Sequence, residues 1–285
     1  MNRLFPAALL MPLAVLASSC DQQPEGEPVV RAEIRDTSGN AAGASPTPAS
    51  SDGRAQVESS CRPVIFENEP FVHCVAVPSR HHITTALADG EGTPFRSLAA
   101  YASARSAEAA PIAFAMNGGM YDDAGQPVGY FVEGSDRKVE LNRNDGPGNF
   151  HMQPNGVFFG SGDTWEVRST EDFLANVTER PEFGTQSGPM LVIGGKLHPD
   201  ISNDGESQLI RNAVGVDEKG RAHFVISNGP VSFGKLARLY RDELNVPNAL
   251  YLDGNVSALW NPARGRLDTG APIGPIIVVE KKPAS

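Results

Sequence analysis

Short apolar runs of four to seven residues, each closed by a polar or glycine-bearing turn, recur from residue 62 to residue 279. Such runs between turn residues predict strands. They fall at 62–66, 71–77, 83–87, 111–116, 128–133, 138–141, 156–159, 165–168, 190–193, 212–216, 222–227, 249–252 and 275–279. Three pairs read as hairpins because a turn signal separates them: ENEP after residue 66, GSGDT after 159 and DEKGR after 216. Helical spacing is rarer. Phe95, Leu98, Ala99 and Ala102 share one face of a helix predicted over 94–105, with Thr93 as its cap and Pro94 at its first position. Phe173, Leu174 and Val177 predict a second helix over 171–179. Leu236, Leu239, Tyr240 and Leu244 predict a third over 233–244. Strict strand–helix alternation is missing, so a TIM barrel and a doubly wound sheet are excluded. The pattern predicts an α+β fold: one mixed α/β domain over 61–285, with a strand-rich core and a few flanking helices.

The first 60 residues follow a different pattern. Arg3 precedes an apolar stretch over residues 4–17, too short to span a bilayer as a helix. Ala17, Ser18 and Ser19 then lead to Cys20. Residues 1–19 read as a secretory signal. The small-small-Cys ending resembles a bacterial lipobox, which makes Cys20 the expected lipidation site. Asp21 resembles an inner-membrane retention signal. Residues 21–60 contain no Leu and no aromatic residue, so they bury too little apolar surface to offset their ordering entropy. Residues 20–60 are therefore expected to act as a lipidated, disordered tether, about 35 Å long as a flexible coil. The expected location is the periplasm, anchored to the inner membrane through that lipid. Two cysteines remain, Cys61 and Cys74. In an oxidising compartment they are expected to pair. The formal charge of −10 argues against a nucleic-acid surface, which needs a basic patch.

No Walker-A loop, GxSxG elbow or HExxH helix occurs. The candidate chemistry lies instead at four strand ends that combine polar residues with glycine. These are 117–122 (NGGMYD), 186–190 (QSGPM), Arg211-Asn212 with 227–230 (SNGP), and 250–255 (LYLDGN). Glycine lets backbone approach a ligand, and Asn offers both a donor and an acceptor. The polar stretch 141–155 (LNRNDGPGNFHMQPN) has the length of a lid or binding loop. Within it, His151 reads as an exposed loop residue.

These segments resemble the phosphodiester glycosidase family, in its bacterial periplasmic branch. The matching residues are 117–122 (NGGMYD), 153–159 (QPNGVFF), 186–191 (QSGPML), 211–217 (RNAVGVD), 226–231 (ISNGPV), 250–254 (LYLDG) and 274–278 (GPIIV). The chain departs from the family where a run of glycines and Ser follows the Asp; here it reads Asp253-Gly254-Asn255-Val256-Ser257. The resemblance implies hydrolysis of a sugar-1-phosphodiester at its anomeric C–O bond. It assigns Arg211 to the phosphate, because guanidinium matches phosphate oxygens. It assigns Asp253, or second Asp122, as the catalytic carboxylate. Asn117, Ser187, Asn228 and the amides of Gly118, Gly119, Gly188 and Gly254 are left to hold sugar hydroxyls. Asn117, Ser187, Arg211, Asn228 and Asp253 should then converge on one cleft. No cofactor is required, and a divalent cation is compatible. Two alternatives stand beside this reading. One is a lipid-anchored, non-catalytic module that binds glycans or glycan phosphates. The other is a metal-dependent phosphoesterase using Asp122, Asp217 and Asp253, although Asp217 opens the DEKG turn and is expected at the surface.

Overall fold

The computed structural model describes residues 58–253 and 256–283. The leader, Cys20, residues 21–57 of the tether and Gly254 lie outside the described residues. Residues just before 61 pack with the domain: the Ser60 carbonyl accepts from Val75 N, and Ser60 Oγ meets His81 Nε2 at 3.1 Å.

Among the described residues the strands form three sheets, and every ladder is antiparallel. In chain order they are β1 (Cys61–Phe66), β2 (Glu69–Ala76), β3 (His81–Ala86), β4 (Ile112–Asn117), β5 (Phe131–Glu133) and β6 (Asp136–Val139). Next come β7 (Gly156–Ser161), β8 (Thr164–Ser169), β9 (Phe183–Ser187), β10 (Met190–Ile193), β11 (Lys196–Leu197) and β12 (Asn212–Val216). The last are β13 (Ala222–Ser227), β14 (Asn248–Tyr251), β15 (Leu259–Asn261), β16 (Arg266–Leu267) and β17 (Ile276–Lys281). The first sheet has the order β1-β2-β13-β12-β14-β10-β11, the second β16-β15-β4-β17-β3 and the third β6-β5-β9-β7-β8. The fold is therefore α+β with strands dominating.

The inner faces of all three sheets meet in one core. Phe224 of the first sheet packs edge-on against Phe114 of the second and Phe158 of the third, with ring centroids 5.2 and 5.7 Å apart. The outer face of each sheet is covered by a helix. Helix α1 (Leu98–Ala104) covers Ala115, Ile276 and Val278; α2 (Thr170–Asn176) covers Val157 and Phe159. Helix α3 (Phe233–Arg238), continued by a π turn over Leu239–Glu243, covers Ala213, Val225 and Tyr251. Successive strand residues thus point into different apolar layers. Val214 and Phe224 face the common core while Ala213 and Val225 face α3. This is why the central strands read as unbroken apolar runs instead of alternating ones.

Several helix and strand expectations shift. The first helix begins at Leu98, because Arg96 sits in the left-handed region (φ 56°) and Ser97 caps by accepting from Ala100 N. The second ends at Asn176, because Val177 is extended. In the 128–133 run only Phe131–Glu133 joins a ladder. Strand β9 (FGTQS) was not expected, since it carries no apolar run; all five of its residues are nevertheless buried. The β1–β2 hairpin closes as foreseen. Glu67 and Asn68 both have positive φ, the conformation of a two-residue type I′ turn. Cys61 and Cys74 are directly opposed across it and form a disulfide. Among the described residues no helix is long and apolar enough to cross a membrane.

Candidate functional site

The polar strand ends gather at one end of the sheets, around the exit of β14. Asn117 closes β4 and is buried. Its Oδ1 accepts from Asn212 Nδ2 (2.9 Å) and Ala258 N (2.8 Å), while its Nδ2 donates to the Val256 carbonyl (2.7 Å). Ser187 closes β9 and donates from Oγ to the Leu252 carbonyl at 2.7 Å. These two side chains join all three sheets at the residues flanking Asp253. Both are buried and bonded to the protein, and neither lines the cleft described below.

Gly118 and Gly119 carry the chain across β9. Gly118 N donates to the Pro275 carbonyl (2.7 Å) and Gly119 N to Thr185 Oγ1 (3.0 Å). A Cβ on Gly119 would stand 2.2 Å from the Gln186 carbonyl oxygen, so only glycine allows this approach. Gly188 approaches Asn155 just as closely: a Cβ there would lie 2.7 Å from Asn155 Cβ. Both amides at 118 and 119 are therefore also spent inside the protein.

Gln186, between them, was not singled out as a functional side chain, yet it makes four hydrogen bonds. Oε1 accepts from Tyr130 N and Asn142 N, both at 2.9 Å. Nε2 donates to the Asn142 carbonyl (2.7 Å) and Thr170 Oγ1 (3.0 Å). One buried amide thereby clamps the start of the 141–155 loop. Asn155 clamps its end, donating to the Phe150 carbonyl (2.8 Å) and accepting from Thr170 Oγ1 (2.6 Å).

Between this loop and the NGGMY segment lies a cleft of about 380 Å³. Its walls include Met120, Tyr121, Gly148, Asn149, His151 and Asp253. Asp253 is only 5 % exposed and is the one carboxylate among the described lining residues. The Tyr121 ring lies under the Arg96 guanidinium at 5.1 Å, and its hydroxyl donates to the Pro272 carbonyl. Burial, reinforced by the charge of Asp253, raises the Tyr121 pKa. Gly148, at φ 87°, turns the loop toward the cleft. His151 Nδ1 lies 2.7 Å from the Asn144 carbonyl oxygen. A carbonyl only accepts, so Nδ1 carries the proton and Nε2 of the neutral ring is a base. His151 is thus a cleft residue. No spacing rule pointed to it, since only the folded loop brings it to the cleft that Asp253 also lines.

Arg211 requires the largest correction. It is fully buried, with its guanidinium 3.7 Å above the Phe233 ring. Nε donates to the Val231 carbonyl (2.8 Å), Nη1 to Tyr251 Oη (2.9 Å), and Nη2 to the Ser207 carbonyl and hydroxyl (3.0 and 2.9 Å). Burial lowers its pKa. With its donors turned into the protein, it braces Tyr251 two residues before Asp253 and does not open onto the cleft. Tyr251, in turn, is pushed up to about 12 by burial against the opposing pull of Arg211.

Asp122 is exposed and closes its own turn, accepting from Gln126 N at 2.9 Å. It does not line the cleft. Asn228 is exposed and faces a neighbouring hollow, where its Oδ1 accepts from Arg266. Asp217, expected at the surface, has a side chain only 8 % exposed and is held by Arg221 and His223. It lies at the opposite end of the β12–β14 ladder from Asp253, since Val216 pairs with Asn248 and Ala213 with Tyr251. Asp122, Asp217 and Asp253 therefore do not assemble, and the residues present do not fit a three-carboxylate cation site. Among the described residues no group of three His, Cys, Asp or Glu is placed to hold a metal ion.

Residues 110–280 match the model of the phosphodiester glycosidase family. The uncharacterized protein YigE of Escherichia coli (strain K12) is 38 % identical over 149 residues, which are 52 % of this chain and 58 % of that relative. Among solved structures, the fold is similar to the catalytic domain of zebrafish N-acetylglucosamine-1-phosphodiester alpha-N-acetylglucosaminidase, auto-inhibited by its pro-peptide. That likeness has a TM-score of 0.51 and 16 % identity, covering 78 % of this chain and 82 % of the other.

Proposed function

Because the chain belongs to the phosphodiester glycosidase family, we propose that it hydrolyses a sugar-1-phosphodiester at the anomeric C–O bond, with Asp253 as the essential carboxylate. One observation carries this reading: Asp253 is a nearly buried carboxylate at the floor of a cleft walled by two polar loops. The zebrafish structure, a sugar-1-phosphodiester glycosidase by name, supports the fold on which such chemistry is built.

The chemistry suits a single carboxylate. A phosphodiester oxygen is a weak base, so it leaves without a strong general acid. What the transition state needs is negative charge beside the oxocarbenium-like C1, or a base on the incoming water. Asp253 supplies the charge. His151, held at Nδ1 by the Asn144 carbonyl, accepts the water proton at Nε2 as the water oxygen bonds to C1. The C1–O bond breaks, and its electron pair leaves with the phosphate. The products are a free sugar and a phosphomonoester. Tyr121 and Met120 offer an amphipathic wall for the sugar ring.

The expected setting is the periplasm, with the domain tethered through Cys20. Export without lipidation would leave the reaction unchanged and remove only the anchor.

The test is a panel of sugar-1-phosphodiesters given to the purified protein, with release of sugar and phosphomonoester both followed. Asp253→Asn should lower kcat by about a thousandfold or more without changing the circular-dichroism spectrum. Run in ¹⁸O-water, the reaction should yield an unlabelled phosphomonoester. Label on the phosphorus would mean P–O cleavage and would overturn the proposal.

A further inference from the structure

Beside the exit of β14 lies a second hollow, of about 440 Å³, a size typical of small-molecule sites. Six lining residues carry its chemistry: Ile210, Asn228, Ser257, Arg266, Leu267 and Asp268. Its floor is polar but electrically balanced. Arg266 holds Asp268 through Nε and Nη2 at 2.8 and 2.7 Å and donates from Nη1 to Asn228 Oδ1 at 3.2 Å. Its rim is apolar and open to water: Ile210 is 47 % exposed and Leu267 39 %. Among the described residues the exposed large hydrophobic side chains are Ile65, Leu174, Leu209, Ile210 and Leu267. Two of them line this one hollow, and a third adjoins it in sequence. Apolar surface concentrated at a cavity marks a place for a ligand more than it marks chance.

A chain of hydrogen bonds links the hollow to the segment beside the Asp253 site. Ser257 Oγ reaches the Ile210 carbonyl (3.1 Å) and Asn212 Oδ1 (3.2 Å), and Asn212 Nδ2 reaches Asn117 Oδ1 (2.9 Å) at the root of the NGGMY wall. Ser257 stands four residues after Asp253, so their Cα atoms are at most about 14 Å apart. That separation is within the length of a sugar-1-phosphodiester that carries an alkyl arm.

We propose that this hollow is the subsite for the alcohol half of the phosphodiester, and that the alcohol carries an apolar chain. The inference rests on the hydrolase reading for its orientation. Cleavage at C1–O leaves the alcohol on phosphorus, so an alkyl phosphate is the product that the hollow retains. The balanced Arg266–Asp268 pair offers hydrogen bonds without net charge. Ile210 and Leu267 gain by covering a hydrocarbon chain.

The experiment measures product binding, which needs no turnover. Octyl phosphate, kept below its micelle concentration, and ethyl phosphate are titrated calorimetrically into the purified chain. Octyl phosphate should bind about tenfold or more tightly than ethyl phosphate. Leu267→Asp and Ile210→Asp should abolish that difference, while Ile65→Asp, an exposed site on β1, should keep it. Equal affinities, a chain-length gain that survives both rim variants, or binding of neither phosphate would each overturn the proposal. Hydrolysis of a methyl sugar-1-phosphodiester is measured separately. Turnover without chain-length selectivity would sink the subsite alone, and selectivity without turnover would sink the hydrolase reading alone.

Discussion

Gln186→Ala probes the link between packing and the site most directly. The substitution removes an amide whose four hydrogen bonds run to Tyr130 N, to Asn142 N and O, and to Thr170 Oγ1. Tyr130 N is a buried donor left unsatisfied at a cost of about 1–2 kcal/mol, while Thr170 Oγ1 keeps its bond to Asn155 Oδ1 and loses about 0.5–1 kcal/mol. The two Asn142 groups are part-buried and regain some water, so each loses about 0.5–1 kcal/mol. The sum is about 2.5–5 kcal/mol, a substantial part of a typical domain's stability. A domain of this size should then melt about 10 °C lower. The loss is also localised. Asn142 is the first tethered point of the loop that carries Gly148, Asn149 and His151 to the cleft, so kcat/KM should fall further than global unfolding explains. Urea unfolding and hydrogen exchange at the Asn142 amide are the assays. A Gln186→Ala protein within 1 kcal/mol of the parent, with Asn142 still protected, would show that the clamp does not hold the loop. Gln186→Glu is the sharper variant. It keeps the shape but turns two donors into acceptors facing the Asn142 carbonyl and the Thr170 hydroxyl oxygen.

Other outcomes follow from the same geometry. Arg211→Met should lower stability by about 2–4 kcal/mol, because the Val231 and Ser207 carbonyls and the Tyr251 hydroxyl each lose a buried, charged donor; a raised KM with an unchanged melting temperature would return Arg211 to the ligand. His73, His223 and Asp217 form a buried row, with Nε2 to Nδ1 at 3.0 Å and Nε2 to Oδ2 at 3.1 Å. Burial, then the neighbouring His223, takes His73 down to about 3. The unfolded chain binds that proton near pH 6.5 and the folded chain does not, so stability falls as pH drops from 6.5 toward 3. His73 alone should cost about 2 kcal/mol between pH 7.5 and 5. Asp217 adds to the loss only below its unfolded value of 3.8: burial alone would raise it, but bonds from Arg221 and His223 prevail and bring it to about 2. Urea midpoints that stay flat from pH 7.5 to 5 would refute a neutral, buried His73. Replacing both Cys61 and Cys74 by Ala should cost about 3 kcal/mol in the chain-entropy account of a 13-residue separation; a variant that melts with the oxidised parent would rule that out.

What was legible in the sequence was whatever depended on local chemistry. Apolar runs marked strands because burial of either face needs hydrophobic side chains, and Asn68 marked a turn because Asn tolerates positive φ. Strand β9 escaped this logic. Thr185, Gln186 and Ser187 are buried polar residues, tolerated only because partners from distant segments satisfy them. The same cause separates the foreseen site from the observed one. Of Asn117, Ser187, Arg211, Asn228 and Asp253, expected on one cleft, only Asp253 lines it; Asn228 faces the neighbouring hollow and the other three are buried beside the exit of β14. Which of them opens onto the cleft was not encoded in residue type.

By itself, then, the order of residues determined a strand-rich α+β domain, a hairpin pinned by Cys61 and Cys74, and a set of polar strand ends with Asp253 among them. Tertiary structure alone decided their division of labour. Arg211 stacks on Phe233 and turns its donors inward, Asp122 spends its carboxylate on its own turn, and His151 is delivered to the cleft by a loop clamped at Gln186 and Asn155. The physical reason is that a polar side chain's availability depends on which partners the fold places within hydrogen-bond reach. Those partners lie tens to hundreds of residues away, beyond any local pattern: Asn117 meets Asn212 95 residues on, and Ser187 meets Leu252 65 residues on.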